Sequence, residues 1–312
     1  SPKDVVLQAG KIVDFRNDNL VNIRAGKVYL TAQEVGEDDN ALDIALTDTA
    51  DALVKIEAAN DVNLNNAENT ALNVDIKAKK LKINSTKADN PVKISFQGFD
   101  KANMKVKSKS SILLNGNASV GDTGNVSLVT DKGIDSTSSL AQVAGNNVSM
   151  SANTGIGNNN GVTVNLLGQN ALLNATNNQS GDIKLASAYD VTFGQIKNAG
   201  GNVSLSSSHN ILGKDASSLI SGTGIELVSD YGKITGSDGG ALNIQTDYAN
   251  GGTILAKADG DINLKQAHGD LGIDQIISAG GDVTLDVAGA VYDANDGSVP
   301  SVQTRQALEK RW

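Results

Sequence analysis

Gly201-Asn202-Val203-Ser204-Leu205 carries the pattern on which much of the chain is built. Val203 and Leu205 alternate with polar Asn202 and Ser204, so an extended segment here has one apolar face, and the leading glycine marks a corner. The same block recurs as Gly124-Asn125-Val126-Ser127-Leu128, Gly181-Asp182-Ile183-Lys184-Leu185, Gly260-Asp261-Ile262-Asn263-Leu264 and Gly281-Asp282-Val283-Thr284-Leu285. With looser copies included, the closing apolar residues fall at 128, 150, 166, 185, 205, 227, 244, 264 and 285, in steps of 22, 16, 19, 20, 22, 17, 20 and 21 residues. A unit of this size cannot bury its apolar face alone and must stack on its neighbours, which is the logic of a solenoid.

Further apolar clusters lie between the blocks, among them Val191-Thr192-Phe193, Asn210-Ile211-Leu212, Lys233-Ile234 and Ala290-Val291-Tyr292. Two to three short strands per turn, separated by Gly, Asn and Asp corners that tolerate positive φ, predict an all-β chain folded as a parallel β-helix of about twenty residues per coil. Coil-on-coil stacking then predicts aliphatic ladders inside and Asn, Ser and Thr rows outside. At ~4.8 Å per coil, roughly fifteen coils would extend about 70 Å. Residues 1–119 read as irregular coils, with clusters such as Val28-Tyr29-Leu30, Leu72-Asn73-Val74, Leu81-Lys82-Ile83, Val92-Lys93-Ile94 and Met104-Lys105-Val106, and residues 120–297 as regular ones. No linker separates the two, so a single β-helix over 1–297 is expected. Residues 298–312 lose glycine and gain Gln303, Arg305, Gln306, Glu309 and Lys310, and read as a polar tail or the start of a next module, with a short helix capped by Ser301 or Thr304.

Composition excludes several functions. Of 312 residues 33 are glycine and only 3% are aromatic, so the core must be narrow and built from short aliphatics. There is no cysteine, hence no disulfide framework and no thiolate zinc site. A formal charge of -9 disfavours binding of nucleic acid, and no apolar run is long enough for a transmembrane helix. Ser1-Pro2-Lys3-Asp4 is not a signal peptide, so the chain reads as a piece of a longer secreted protein.

Residues 120–297 resemble the repeat region of filamentous-haemagglutinin-like exoproteins, the large adhesins exported by two-partner secretion. Gly280-Gly281-Asp282-Val283-Thr284-Leu285-Asp286-Val287-Ala288-Gly289-Ala290-Val291-Tyr292-Asp293-Ala294-Asn295 is similar in particular to the leukotoxin-type filamentous adhesins. The resemblance implies a right-handed parallel β-helix, secreted or on the surface of a Gram-negative bacterium, that attaches to host cells, other bacteria or surface polysaccharide. It also implies export of the full-length protein by an outer-membrane transporter, and no catalytic site. The Asn-Pro-Asn-type motifs of the family's secretion domain are not found here.

β-helices also serve polysaccharide-cleaving chemistry, as lyases and hydrolases. It needs carboxylates across a sugar ring and commonly aromatic platforms. Stacking predicts Asp261 beside Asp282, with Asp182 farther along the same row. These aspartates occupy positions filled by Asn125 and Asn202 in other copies, so a corner role accounts for them. His209 and His268 lack ligand-like companions, so no cofactor is expected, and with its one tryptophan at the last residue the chain lacks the aromatic platforms of sugar-processing clefts. Glu37-Asp38-Asp39-Asn40 with Asp43, and Asp293-Ala294-Asn295-Asp296-Gly297, offer oxygens to calcium without an established loop spacing. Sequons such as Asn125-Val126-Ser127 and Asn147-Val148-Ser149 are numerous, as the repeat itself generates them.

One stretch departs from the acidic whole: Lys77, Lys79, Lys80, Lys82, Lys87, Lys93, Lys101, Lys105, Lys107 and Lys109 crowd into residues 77–109. Because Lys80-Leu81-Lys82-Ile83 and Met104-Lys105-Val106-Lys107 alternate with core positions, Lys80, Lys82, Lys105 and Lys107 are expected to share an outer face. That face would hold an anionic polysaccharide or another acidic surface, including the chain's own acidic amino-terminal part. The expected function is thus a non-enzymatic adhesin segment. A β-helical polysaccharide-active enzyme and a purely structural stalk are the competing readings.

Overall fold

The computed structural model describes residues 3–18, 20–47, 50–295, 297 and 301–304. It is a parallel β-solenoid of about 13 turns, with roughly 22 residues per turn and 57% of residues in strands. Two compact units divide it: Ser1–Asn153 with Leu167–Ala171, and Thr154–Leu166 with Leu172–Trp312. The change from irregular to regular repeat near residue 120 falls inside the first unit.

In the first unit one ladder runs Val28, Val54, Val74, Ile94, Leu114, and a second runs Leu64, Ile83, Val106, Leu128, Met150. All ten side chains are essentially buried. Parallel in-register pairing puts aliphatic on aliphatic, and each fully buried Val, Leu or Ile contributes about 1.5–3 kcal/mol. The sequence reads Leu72–Val74 and Leu81–Ile83 as separate strands, but Leu72–Ser85 is one strand, as is Val92–Ser108. In Val92–Ser108 the bend is taken up by a register shift between Gly98 and Asn103, with Lys101 at φ 53.

The second unit has the same two-ladder plan: Ile183, Val203, Ile225, Ile254, Ile273 on one face and Val191, Ile211, Ile234, Ile262, Val283 on the other. The five-residue blocks beginning at Gly181 and Gly201 therefore belong to one face, and those at Gly260 and Gly281 to the other. The count of closing residues slips between faces at the 17-residue step from Leu227 to Ile244, because Leu227 is in fact stacked on Ala256. That coil is lengthened by short 3-10 turns at Ser237–Gly239 and Tyr248–Asn250. At the carboxyl-terminal side, Val302–Thr304 is a strand on Ile276–Ser278 rather than the expected start of a helix at Ser301. The residues after Thr304, and Asp296 of the second acidic loop, lie outside the described residues.

Polar rows are not confined to the outside. Asn66, Ser85, Ser108 and Thr130 form a buried ladder at one inner corner, and Asn177 and Asn198 form another. Asn177 Nδ2 donates to Asn198 Oδ1 at 2.9 Å and Asn198 Nδ2 to the Asn202 carbonyl at 2.8 Å. Corners leave backbone carbonyls and amides without strand partners, and an inward amide or hydroxyl satisfies them where water cannot reach. The expected outer rows also exist: Asn147 donates to Asn125 at 2.7 Å, and Asn125 to Asn103 at 3.1 Å.

Candidate functional site

Lys82 and Lys105 are register partners on adjacent coils, while Lys80 faces Asn103 and Lys107 faces Asn84. The four candidate lysines thus share one outer face. Lys77 and Lys93 belong to the other ladder, so the ten-lysine stretch is divided between two faces.

The acidic loop closes over the start of this face. Gly36 makes the turn at φ +62, where an added Cβ would lie 2.2 Å from the Asn63 carbonyl oxygen, so the loop passes directly over the Asp61–Asn66 strand. Asn63 is 1% exposed in consequence. Glu37 and Asn40 exchange backbone hydrogen bonds of 2.8 and 3.3 Å, and Asn40 Nδ2 donates to the Asp14 carbonyl at 2.6 Å. The pinned loop delivers Asp38 to the lysines. Lys80 Nζ donates to both Asp38 carboxylate oxygens at 2.9 and 3.0 Å and lies 3.4 Å from Asp61 Oδ2, while Lys82 Nζ donates to the Asp38 carbonyl and lies 3.7 Å from its Oδ1. The hydrogen bond from Lys80, then its charge, holds the Asp38 carboxyl below its ordinary 3.8, and the reciprocal hydrogen bond holds Lys80 above its ordinary 10.5. Lys11 neutralises Glu37 at 2.6 Å and Glu34 at 3.6 Å.

The acidic loop and the lysine face are therefore one assembly. Its charges are only half matched. Lys105 and Lys107 stand one coil beyond the reach of Asp38, across from Ser127 and Val129, and no ion-pair partner meets them among the described residues. Between loop and lysines opens a cleft of about 300 Å³ lined by Asp38, Asn40, Asp43, Lys82, Lys105 and Lys107. At its floor Asp43 is 3% exposed and accepts a hydrogen bond from Asn65 Nδ2 at 2.5 Å. Burial pushes the Asp43 carboxyl above its ordinary range; the Asn65 bond opposes this, and the charges of Asp14 and Asp18 add to it. No group of three or more Asp, Glu or His side chains converges as a metal cluster among the described residues. In the second acidic loop, Asp293 Oδ1 accepts from Ser301 Oγ at 2.7 Å and from the Asn295 amide at 3.2 Å, a turn-forming arrangement.

The aspartates divide by face. Asp261 Oδ1 accepts from the Asp282 amide at 2.9 Å, as stacking predicts. Asp182 instead joins the other row, accepting from the Asn202 amide at 3.0 Å, and lines a groove of about 400 Å³ with Lys184, Glu226 and Asp274. Ser204 Oγ donates to Glu226 at 2.8 Å there. The sequence also hides an aromatic pair: Tyr248 and Tyr292 stack with ring centres 4.8 Å apart and planes 8° from parallel. Gly272 makes room, since a Cβ there would meet the Tyr248 ring at 2.5 Å. The two rings are 44 residues apart in sequence, so only the coil register brings them together.

Comparison of the chain with protein-family models, with curated proteins and with solved structures returns no match. No helix is long and apolar enough to cross a membrane among the described residues.

Proposed function

We propose that this chain is a non-enzymatic segment of a large secreted or cell-surface bacterial adhesin, and that it attaches through an acidic group seated against Lys105 and Lys107. The observation that carries this reading is the half-matched cleft, in which the acidic loop neutralises Lys80 and Lys82 and leaves the next two ammonium groups facing solvent. Like charges on neighbouring coils repel unless a counter-charge lies between them. An acidic polysaccharide or the carboxylate or sulfate of a surface glycan supplies that charge from outside. The resemblance of residues 120–297 to filamentous adhesins supports a surface location, attachment to host or bacterial cells, and export of the full-length protein by an outer-membrane transporter.

The test is binding of the purified chain to immobilised heparin, as a model polyanion, and to intact cells, with and without calcium and over a range of salt. Lys105→Glu with Lys107→Glu is expected to abolish binding, and rising salt to weaken it in the wild type as screening predicts. Retention of binding in the folded double variant, or none in the wild type, rejects the reading. A calcium requirement would return a cation to the acidic loop.

The groove bearing Asp182, Glu226, Asp274 and Lys184 supports a second reading, a polysaccharide-cleaving site using a carboxylate pair. Release of reducing ends from a polysaccharide by the wild type, lost in Glu226→Gln and Asp274→Asn, would favour it. No release from a broad polysaccharide panel would reject it.

A further inference from the structure

Three consecutive coils of the second unit carry an exposed ring at the same corner. Ser187, Ser207 and Ser229 are register partners, and Tyr189, His209 and Tyr231 each stand two residues beyond one of them. The serines are buried and pin the corner from within. Ser187 Oγ accepts from the Tyr189 amide at 3.1 Å; Ser207 Oγ donates to the Tyr189 carbonyl at 2.6 Å and accepts from the His209 amide at 3.1 Å; Ser229 Oγ donates to the His209 carbonyl at 2.5 Å. Just beyond the rings, Asn210 donates twice to Asp190 Oδ1, both at 2.9 Å, and accepts from the Lys233 amide at 3.0 Å. The backbone beneath the rings is thus held on both sides.

The corner itself does not require the rings. Two coils on, Ser278 Oγ donates to the Gly260 carbonyl at 2.9 Å in the same manner, and glycine stands at the ring position in both coils, as Gly260 two residues beyond Ala258 and Gly280 two beyond Ser278. Nor does burial retain them, since Tyr231 is 76% exposed and Tyr189 57%. In a chain with five tyrosines and two histidines, two of the former and one of the latter occupy this single corner.

We propose that this row of rings is a binding site for a neutral glycan strand, each ring stacking against the C–H face of a sugar. Coils are ~4.8 Å apart, the scale of consecutive sugar rings in an extended oligosaccharide, so Tyr189, His209 and Tyr231 follow one another at the spacing of successive sugars. The negative π face attracts polarised C–H groups, and a corner already fixed by hydrogen bonds loses little freedom on binding. Single-stranded nucleic acid also stacks on such rings. Here the carboxylates of Asp190 and Asp230 flank them and oppose a phosphate backbone. The proposal is independent of the lysine cleft.

The test titrates the purified chain with cello-, chito- and manno-oligosaccharides of increasing length, with oligo-thymidylate as comparator, by calorimetry and tyrosine fluorescence. One neutral series is expected to bind, more tightly with length until the oligosaccharide spans the three coils. Tyr189→Ala with Tyr231→Ala is expected to weaken it at least about tenfold, or ~1.4 kcal/mol, with an unchanged thermal transition, while Tyr189→Phe with Tyr231→Phe retains it. As a readout free of mutation, bound oligosaccharide is expected to protect Tyr189 and Tyr231, but not Tyr29, from nitration. Binding of no neutral series, undiminished binding by the alanine pair, absence of protection, or binding of oligo-thymidylate alone overturns the proposal.

Discussion

Asp43 shows how burial of one carboxyl sets a pH dependence. Its folded-state titration lies above the ordinary 3.8 of the unfolded chain. As pH rises through that interval the unfolded chain releases a proton that the folded chain still holds, so stability falls, and the full cost is present at neutral pH. Asp43→Asn is expected to raise the melting temperature at neutral pH, with the gain vanishing below the ordinary carboxylate range; a loss at neutral pH would contradict this account. The Asp38–Lys80 pair has the opposite sign at each end. Asp38 titrates below 3.8 and Lys80 above 10.5, so their contribution holds across the interval between and fades as acid protonates Asp38 or base neutralises Lys80. Asp38→Asn frees both lysines for an outside anion and is expected to strengthen heparin binding at low salt, which affinity chromatography would measure. Period-two alternation made the shared face of Lys80, Lys82, Lys105 and Lys107 legible in the sequence. Their division into matched and unmatched pairs was not, because it depends on an acidic loop more than forty residues earlier in the chain, delivered by Gly36.

At the scale of elements, the loop and the ladder respond to different substitutions. Gly36→Ala places a Cβ on the Asn63 carbonyl in a positive-φ turn that already costs a non-glycine residue roughly 1–2 kcal/mol. It is expected to lift the acidic loop, and faster hydrogen exchange at residues 37–41 with little change in the Leu72–Ser85 strand would report this. Ile234→Ala opens a void in the middle of an aliphatic ladder and is expected to cost about 2–5 kcal/mol by chemical denaturation. Strand existence and polarity were legible in the recurrent blocks but not at Val302–Thr304, and the face on which each strand sits was not legible. Gly201-Asn202-Val203-Ser204-Leu205 and Gly281-Asp282-Val283-Thr284-Leu285 are near copies that lie on different faces, since both need one apolar side and one glycine corner. The same degeneracy set Asp182 on the wrong row.

For the whole molecule, the solenoid ties each turn chiefly to the turns before and after it, so stability sums over neighbours. Val283–Val287 alternates half-buried and exposed residues, whereas the inward residues of Ile225–Ser229 are buried. Amides of the former are expected to exchange with solvent well before those of the latter; equal protection would argue against nearest-neighbour stability. The fold class followed from the twenty-residue recurrence, and the true turn is nearer 22 because excursions such as Tyr248–Asn250 add residues that leave no periodic trace. The interchangeability of corner blocks has a consequence for descent. Loss of residues 203–224 would join Asn202 to Ile225 and stack Ile183 on Ile225 and Val191 on Ile234, keeping both ladders in phase. A gene for such a chain can shed or duplicate one turn through recombination between its recurrent corner blocks, so length is heritable in steps of a turn while the rows of side chains along each face are reshuffled.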